Sequence, residues 1–155
     1  GAGAGSLLAA AGDAWAERAG GTSGTLWGAA LRAAGEAIGD NTAIEPAAVA
    51  RGARLALEAM TGLGGAKPGD KTLVDALAPF AATLEAELSR GRSLADAWNA
   101  AAQASAAAAE ATAAMTPKLG RARVHAARSV GHRDPGAVSL ALAAKVIARA
   151  LPGPG

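Results

Sequence analysis

The sequence predicts an all-α fold: an up-and-down antiparallel helical bundle or barrel of about six helices. Three observations lead there. Hydrophobic residues make up 51% of the 155 residues, but aromatics only 3%, and much of the apolar content is alanine. Small side chains suit closely packed helices, whereas a β-sandwich calls for β-branched and aromatic residues. Apolar residues recur at helical spacing, as with Leu7, Leu8, Ala11 and Trp15, and Pro46 and Pro135 stand where a first helical turn tolerates proline.

The elements follow in order. The first helix is expected from about Ser6 to Ala19, and the second from near Ser23 to about Ile38. The third begins after Pro46, a residue well placed at a first helical turn, and reaches about Met60. A fourth runs from near Asp70 to about Arg90, and a fifth from Ser93 to about Met115 through an alanine-rich body. Asp134-Pro135, a cap followed by a first-turn proline, opens the last, which ends before Pro152. Residues 1–5, Gly-Ala-Gly-Ala-Gly without an initiator methionine, read as a flexible linker or the remnant of a longer chain. Residues 6–151 form one helical domain, and 152–155 a flexible tail.

Composition narrows the function. No stretch has the length and apolarity of a membrane span, and no leader resembles a signal peptide. Without cysteine there are no disulfides or thiolate metal sites, which fits a cytoplasmic protein. Net charge is +2 with no basic run and no aromatics interleaved among basic residues, so neither a nucleic-acid nor a membrane partner is expected.

The connections between helices are unequal. Gly39–Glu45 and Arg90–Ser93 look like ordinary caps and turns. Gly20-Gly21-Thr22-Ser23-Gly24, the stretch Gly62–Thr72, and the stretch Pro117–Gly136 are rich in glycine, hydroxyl and charged residues. If successive helices run antiparallel, these three joints share one end of the bundle. Each leads into a helix N-terminus, where unpaired N–H groups and the helix dipole favour an anion such as phosphate. Lys71 and Arg121 could add full positive charge. The Gly-Lys-Ser/Thr ending of a Walker loop is absent.

Singly, these residues have plainer readings. Gly20-Gly21 can end one helix while Ser23 caps the next; Asp70 and Asp134 stand at N-cap positions; Lys71 alone reads as a solvated lysine. His125 and His132 are too loosely spaced for a metal pair, and no metal ligands are assigned. Trp15, Trp27 and Trp98 read as core or edge packing.

Three ordered motifs carry a family resemblance. Residues 20–28, Gly-Gly-Thr-Ser-Gly-Thr-Leu-Trp-Gly, resemble a signature of the nucleotide-binding domain of dihydroxyacetone kinases. Residues 67–77, Lys-Pro-Gly-Asp-Lys-Thr-Leu-Val-Asp-Ala-Leu, resemble its second signature. Residues 120–123 with 129–137, Gly-Arg-Ala-Arg then Ser-Val-Gly-His-Arg-Asp-Pro-Gly-Ala, resemble its third. The resemblance implies a barrel of eight antiparallel helices binding ATP or ADP at one end. By it, Gly21, Thr22 and Ser23 contact phosphates, Gly64 and Leu73 border the nucleotide, and Arg121 approaches it. Asp134, Pro135 and Gly136 wall its base or ribose side. It also implies transfer of the γ-phosphate to a small ketose, such as dihydroxyacetone or erythrulose, held on a separate or fused ketose-binding domain.

The sequence departs from that family in one respect. The aspartate-rich loop that holds magnesium in such kinases has no counterpart before Gly20, where Asp13 stands alone. The magnesium ligands are therefore expected in a missing N-terminal segment, and the chain as written is expected to be inactive alone. Six helices of an eight-helix barrel would leave an apolar groove, expected to be covered by the absent helices or by a second copy in a homo-oligomer. Two other functions remain open: a non-catalytic helical interaction module, and an ADP-holding subunit that receives phosphate from a phosphocarrier.

Overall fold

The computed structural model describes residues 1–119 and 121–153, apart from the side chains of residues 121 and 122. The described residues are all-α, with seven α-helices: α1 Ala4–Ala19, α2 Gly21–Ile38, α3 Pro46–Gly64, α4 Val74–Ser89, α5 Leu94–Ala111, α6 Ala126–Ser129 and α7 Pro135–Ala150. Contacts group them into two compact units, residues 1–65 with α1 to α3 and residues 66–155 with α4 to α7. No described helix is long and apolar enough to cross a membrane.

In the first unit, α2 packs against both α1 and α3. Glycine makes the α1–α2 contact close enough for backbones to touch. A Cβ built on Gly12 would lie 2.7 Å from the Gly28 carbonyl oxygen, and one on Gly35 would lie 2.6 Å from that of Gly5. Both pairs are seven residues apart along their helices, so two turns of each helix separate the two points of closest approach. Helix α1 begins at Ala4, not at Ser6, and draws Gly5 out of the expected linker. The Gly5 N–H donates to the Gly39 carbonyl at 2.9 Å, and the Ser6 N–H donates to Asp40 Oδ1 at 2.8 Å. The Ser6 hydroxyl also donates to Asp40, and these bonds hold the exposed Asp40 carboxyl below its ordinary pKa. Asp13 pairs with Arg32 of α2, both exposed. Trp15 and Trp27 pack with ring centroids 5.6 Å apart.

Helix α3 runs one turn beyond the expected Met60. Gly62 does not stop it; the helix ends where Gly65 turns left-handed at φ 67° and its N–H returns to the Thr61 carbonyl at 2.9 Å.

In the second unit α5 packs against α4 and α7, and α4 also touches α7. The core where they meet is alanine: Ala76, Ala109, Ala137 and Ala141 are buried, with Ala106, Val138 and Leu140 packed around them. Larger side chains fill the flanks, where Leu84 is fully buried and Phe80 meets Trp98 edge-on at 4.9 Å. Trp98 donates from Nε1 to the Ala144 carbonyl of α7 at 2.9 Å. Helix α5 starts as expected, with Ser93 Oγ accepting from the Asp96 N–H at 3.1 Å. Its last turn tightens to a 3-10 turn over Thr112–Ala114. The stretch expected as a long loop after Pro117 contains a 3-10 turn, Arg121–His125, and the single-turn α6.

Candidate functional site

The segment between α3 and α4 is held by side chains from its own far end. Asp75, in the first turn of α4, accepts from the Gly69 N–H at 2.6 Å and from the Thr72 N–H at 2.8 Å. Thr72 Oγ1 in turn accepts from the Val74 N–H at 3.1 Å. Asp75 thus reaches back from the first turn of α4 to the Thr72 N–H, one half of a capping-box arrangement, while the N-cap position before Val74 belongs to Leu73, which makes no side-chain cap bond. Asp70 is therefore not the helix cap expected of it. It is buried within the preceding turn, where its carboxylate accepts from the Lys67 N–H at 3.0 Å.

Lys71 is likewise not a solvated lysine. It is 5% exposed, and Nζ donates to the Met115 carbonyl at 3.0 Å and to the Ser129 carbonyl at 2.6 Å. Thr112, fully buried at the end of α5, donates from its hydroxyl to the Ala109 carbonyl at 2.6 Å. The same hydroxyl accepts from the Asp134 N–H at 2.8 Å. The Gly131 N–H donates to the Ala113 carbonyl at 2.8 Å. These bonds carry the chain from the end of α5 to the start of α7.

Asp134 is the N-cap of α7, as expected, with Oδ2 accepting from the Ala137 N–H at 2.8 Å. Burial is the main cause that pushes its carboxyl above the ordinary carboxylate pKa; the nearby Asp75 charge adds to this, while the Ala137 and Gly136 N–H groups and the Lys71 ammonium oppose it. Gly136 comes close to the start of α4: a Cβ there would lie 3.2 Å from Leu73 Cβ and 3.1 Å from Asp134 Oδ2. Pro135 is exposed beside them at the first position of α7. The structure thus brings together four expected site residues, Leu73, Asp134, Pro135 and Gly136. Arg121 opens the 3-10 turn that follows residue 120, and its side chain lies outside the described residues.

Four other expected residues belong to the first unit. Gly21, Thr22 and Ser23 are exposed and form the first turn of α2. Ser23 does not cap that helix. Gly20 takes the cap position at φ 60° and ψ 174°, a conformation suited to glycine, so Ser23 falls at the third helical position with its side chain free of capping duty. Gly64 is the last residue of α3, packed against Leu26. His125 and His132 are exposed.

Sequence reasoning missed the burial of Lys71, Asp75 and Thr112. The Thr72-x-x-Asp75 spacing was the available signal for one of the three; nothing local marks the other two.

The sequence matches the DAK2 domain over residues 1–149. The chain belongs to the DAK2-domain family. Among its relatives, the D-erythrulose kinase of Mycolicibacterium smegmatis is 53% identical over 148 residues, covering 96% of this chain and 26% of the relative. This DAK2 domain therefore spans about a quarter of the length of that kinase. The ADP-binding subunit DhaL of the PEP-dependent dihydroxyacetone kinase of Escherichia coli is 34% identical over 133 residues, 81% of this chain and 63% of the subunit. The crystal structure of the dihydroxyacetone kinase of C. freundii in its native form superposes with a TM-score of 0.67 at 28% identity, covering 95% of this chain and 24% of that one. Its complex with AMP-PNP and Mg2+ gives 0.64 at 30% identity, covering 96% and 23%. The DAK2 domain shares the helical fold of the matched quarter of that kinase.

Magnesium, which this family implies, needs several oxygen ligands gathered at one point. Among the described residues, no group of three or more His, Asp or Glu side chains could hold a metal ion. Asp70, Asp75 and Asp134 each already accept backbone N–H bonds. The described residues do not fit the ion.

Proposed function

We propose that this DAK2 domain binds the adenine nucleotide of an ATP-dependent kinase acting on a small ketose such as dihydroxyacetone or erythrulose. The observation that carries the proposal is the convergence of Leu73, Asp134, Pro135 and Gly136 at the starts of α4 and α7, the residues that the family resemblance assigns to the nucleotide. Gly136 lies directly on the buried Leu73 with no room for a side chain, so the start of α7 is seated against the start of α4, with Pro135 exposed at that junction. The 53% identity to a D-erythrulose kinase supports the ketose class.

In this reading, the first-turn N–H groups of α2 at Gly21, Thr22 and Ser23, with the Thr22 and Ser23 hydroxyls, contact phosphate oxygens. Gly64 borders the nucleotide and Arg121 approaches it. Phosphoryl transfer depends chiefly on positioning and on neutralising charge. The chain's own contribution is to hold the nucleotide while a ketose-binding domain, fused or separate, presents the acceptor hydroxyl.

Calorimetric titration of the folded chain with ADP, with and without magnesium, tests the proposal. Saturable binding of ADP is expected. A folded chain that takes up no ADP in either condition would sink it.

The similarity to an ADP-binding subunit keeps a second reading in view, in which the domain retains ADP and receives phosphate from a phosphocarrier. The two readings part when the domain is combined with a ketose-binding domain. Free ATP supports turnover in the first, and only the phosphocarrier does in the second.

A further inference from the structure

Lys71 combines three unusual properties. It is 5% exposed, although lysine is almost never buried. It has a φ of 62° and is the one non-glycine residue with positive φ among the described residues. That region crowds a side chain's Cβ and favours glycine. Finally, its ammonium donates to two carbonyls far along the chain, Met115 at 3.0 Å and Ser129 at 2.6 Å. A glycine would fit the backbone better, so the lysine is explained by what its side chain does.

The two carbonyls bracket the segment that carries Arg121. One ammonium therefore pins both ends of that segment beside the start of α4. From Ser129 the chain continues through the Gly131 bond to Ala113 and the Asp134 bond to Thr112 into the cap of α7. Lys71 lies two residues from Leu73, so one short segment supplies Leu73 and also anchors the approach to Asp134, Pro135 and Gly136.

We propose that Lys71 is a positioning residue of the nucleotide site: its ammonium ties Met115 and Ser129 to the start of α4 and so sets Asp134–Gly136 against Leu73. The role rests on the nucleotide reading given above. Lys71 acts through these backbone groups and touches no nucleotide itself.

The test uses the full chain with Lys71→Met, Lys71→Gly and Lys71→Arg. Lys71→Met removes the donors but keeps most of the bulk. Lys71→Gly removes them while relieving the positive φ, which keeps the test decisive should the methionine variant fail to fold. Hydrogen exchange of the nucleotide-free chain should speed up at least about tenfold over residues 115–134 in Lys71→Gly, with α5 and α7 still protected, as loss of hydrogen bonds from a charged donor implies. ADP dissociation constants should rise about tenfold for the same reason. Lys71→Arg, which keeps the charge and donors, should fall between Lys71→Gly and the unaltered chain on both measures. An unaltered chain that binds no ADP overturns the nucleotide reading and this role with it. An unaltered chain that binds ADP, beside a Lys71→Gly chain that binds it equally well, overturns this inference alone, whatever the exchange data show.

Discussion

Ser23 is exposed at the third position of α2, and Gly20 takes the cap. That placement separates two effects a serine near a helix start usually mixes. Ser23→Ala is expected to leave thermal stability within about 0.5 kcal/mol, as for a surface change away from a cap. ADP affinity should fall about fivefold or more on loss of a hydroxyl to a charged phosphate. Parallel melting and titration experiments check both, and an unchanged affinity would remove Ser23 from the proposed phosphate contacts. Asp134 offers the opposite case, a residue that does cap its helix. Asp134→Ala should cost about 1 kcal/mol through the lost cap, whereas Asp134→Asn keeps the acceptor and should cost little. The pH dependence follows from burial, which raises the folded-state pKa of Asp134. Its folded state holds the proton where the unfolded chain has already released it. The stability this adds is full below the unfolded carboxylate pKa and is lost as pH rises through the raised folded value. Denaturant melts across the acidic range should show that slope in the parent chain and a shallower one in Asp134→Asn.

At the scale of elements, the α1–α2 pair depends on glycine. The Gly28 Cβ position lies 2.8 Å from the Gly12 carbonyl and 2.9 Å from Ala16 Cβ, with backbone on one side and no flexible side chain to yield. Gly28→Ala should therefore destabilise the first unit by about 1–3 kcal/mol, despite alanine's better helix propensity. Chemical denaturation of the two chains checks this; a more stable alanine variant would mean the helices can move apart at no cost. In the second unit the alanine core does similar work by a milder route, since a methyl group at Ala76, Ala109, Ala137 and Ala141 sets the spacing of α4, α5 and α7. Helix starts differ in how they are specified. Ser93 and Asp134 carry their caps in the adjacent sequence, while α4 is started by Asp75 reaching back from within the helix.

For the whole molecule, a ligand that binds only the folded chain raises its stability by mass action. ADP at a hundred times its dissociation constant should add about 2.7 kcal/mol and raise the melting temperature accordingly. Adenosine at the same concentration should give a much smaller shift, because the phosphate contacts proposed at α2 would be lost. Equal shifts from both would place the affinity in the base and ribose and leave the first turn of α2 without a role.

The sequence by itself determined the helical class, all six predicted helix bodies to within about four residues at either end, and the caps at Ser93 and Asp134, because periodicity and capping are local properties of neighbouring residues. The fourth helix was misjudged at its start because Asp70 has the right chemistry for a cap, and only the competing bonds from Thr72 and Asp75 decide against it. The motifs also named Leu73, Asp134, Pro135 and Gly136, but their approach to one another depends on 60 or so intervening residues, which no local pattern encodes. The tertiary structure alone decided that Lys71 is buried, since its partners are backbone carbonyls 44 and 58 residues away. A carbonyl is present at every residue and leaves no mark in the sequence; its availability as a partner is set by where the fold carries it.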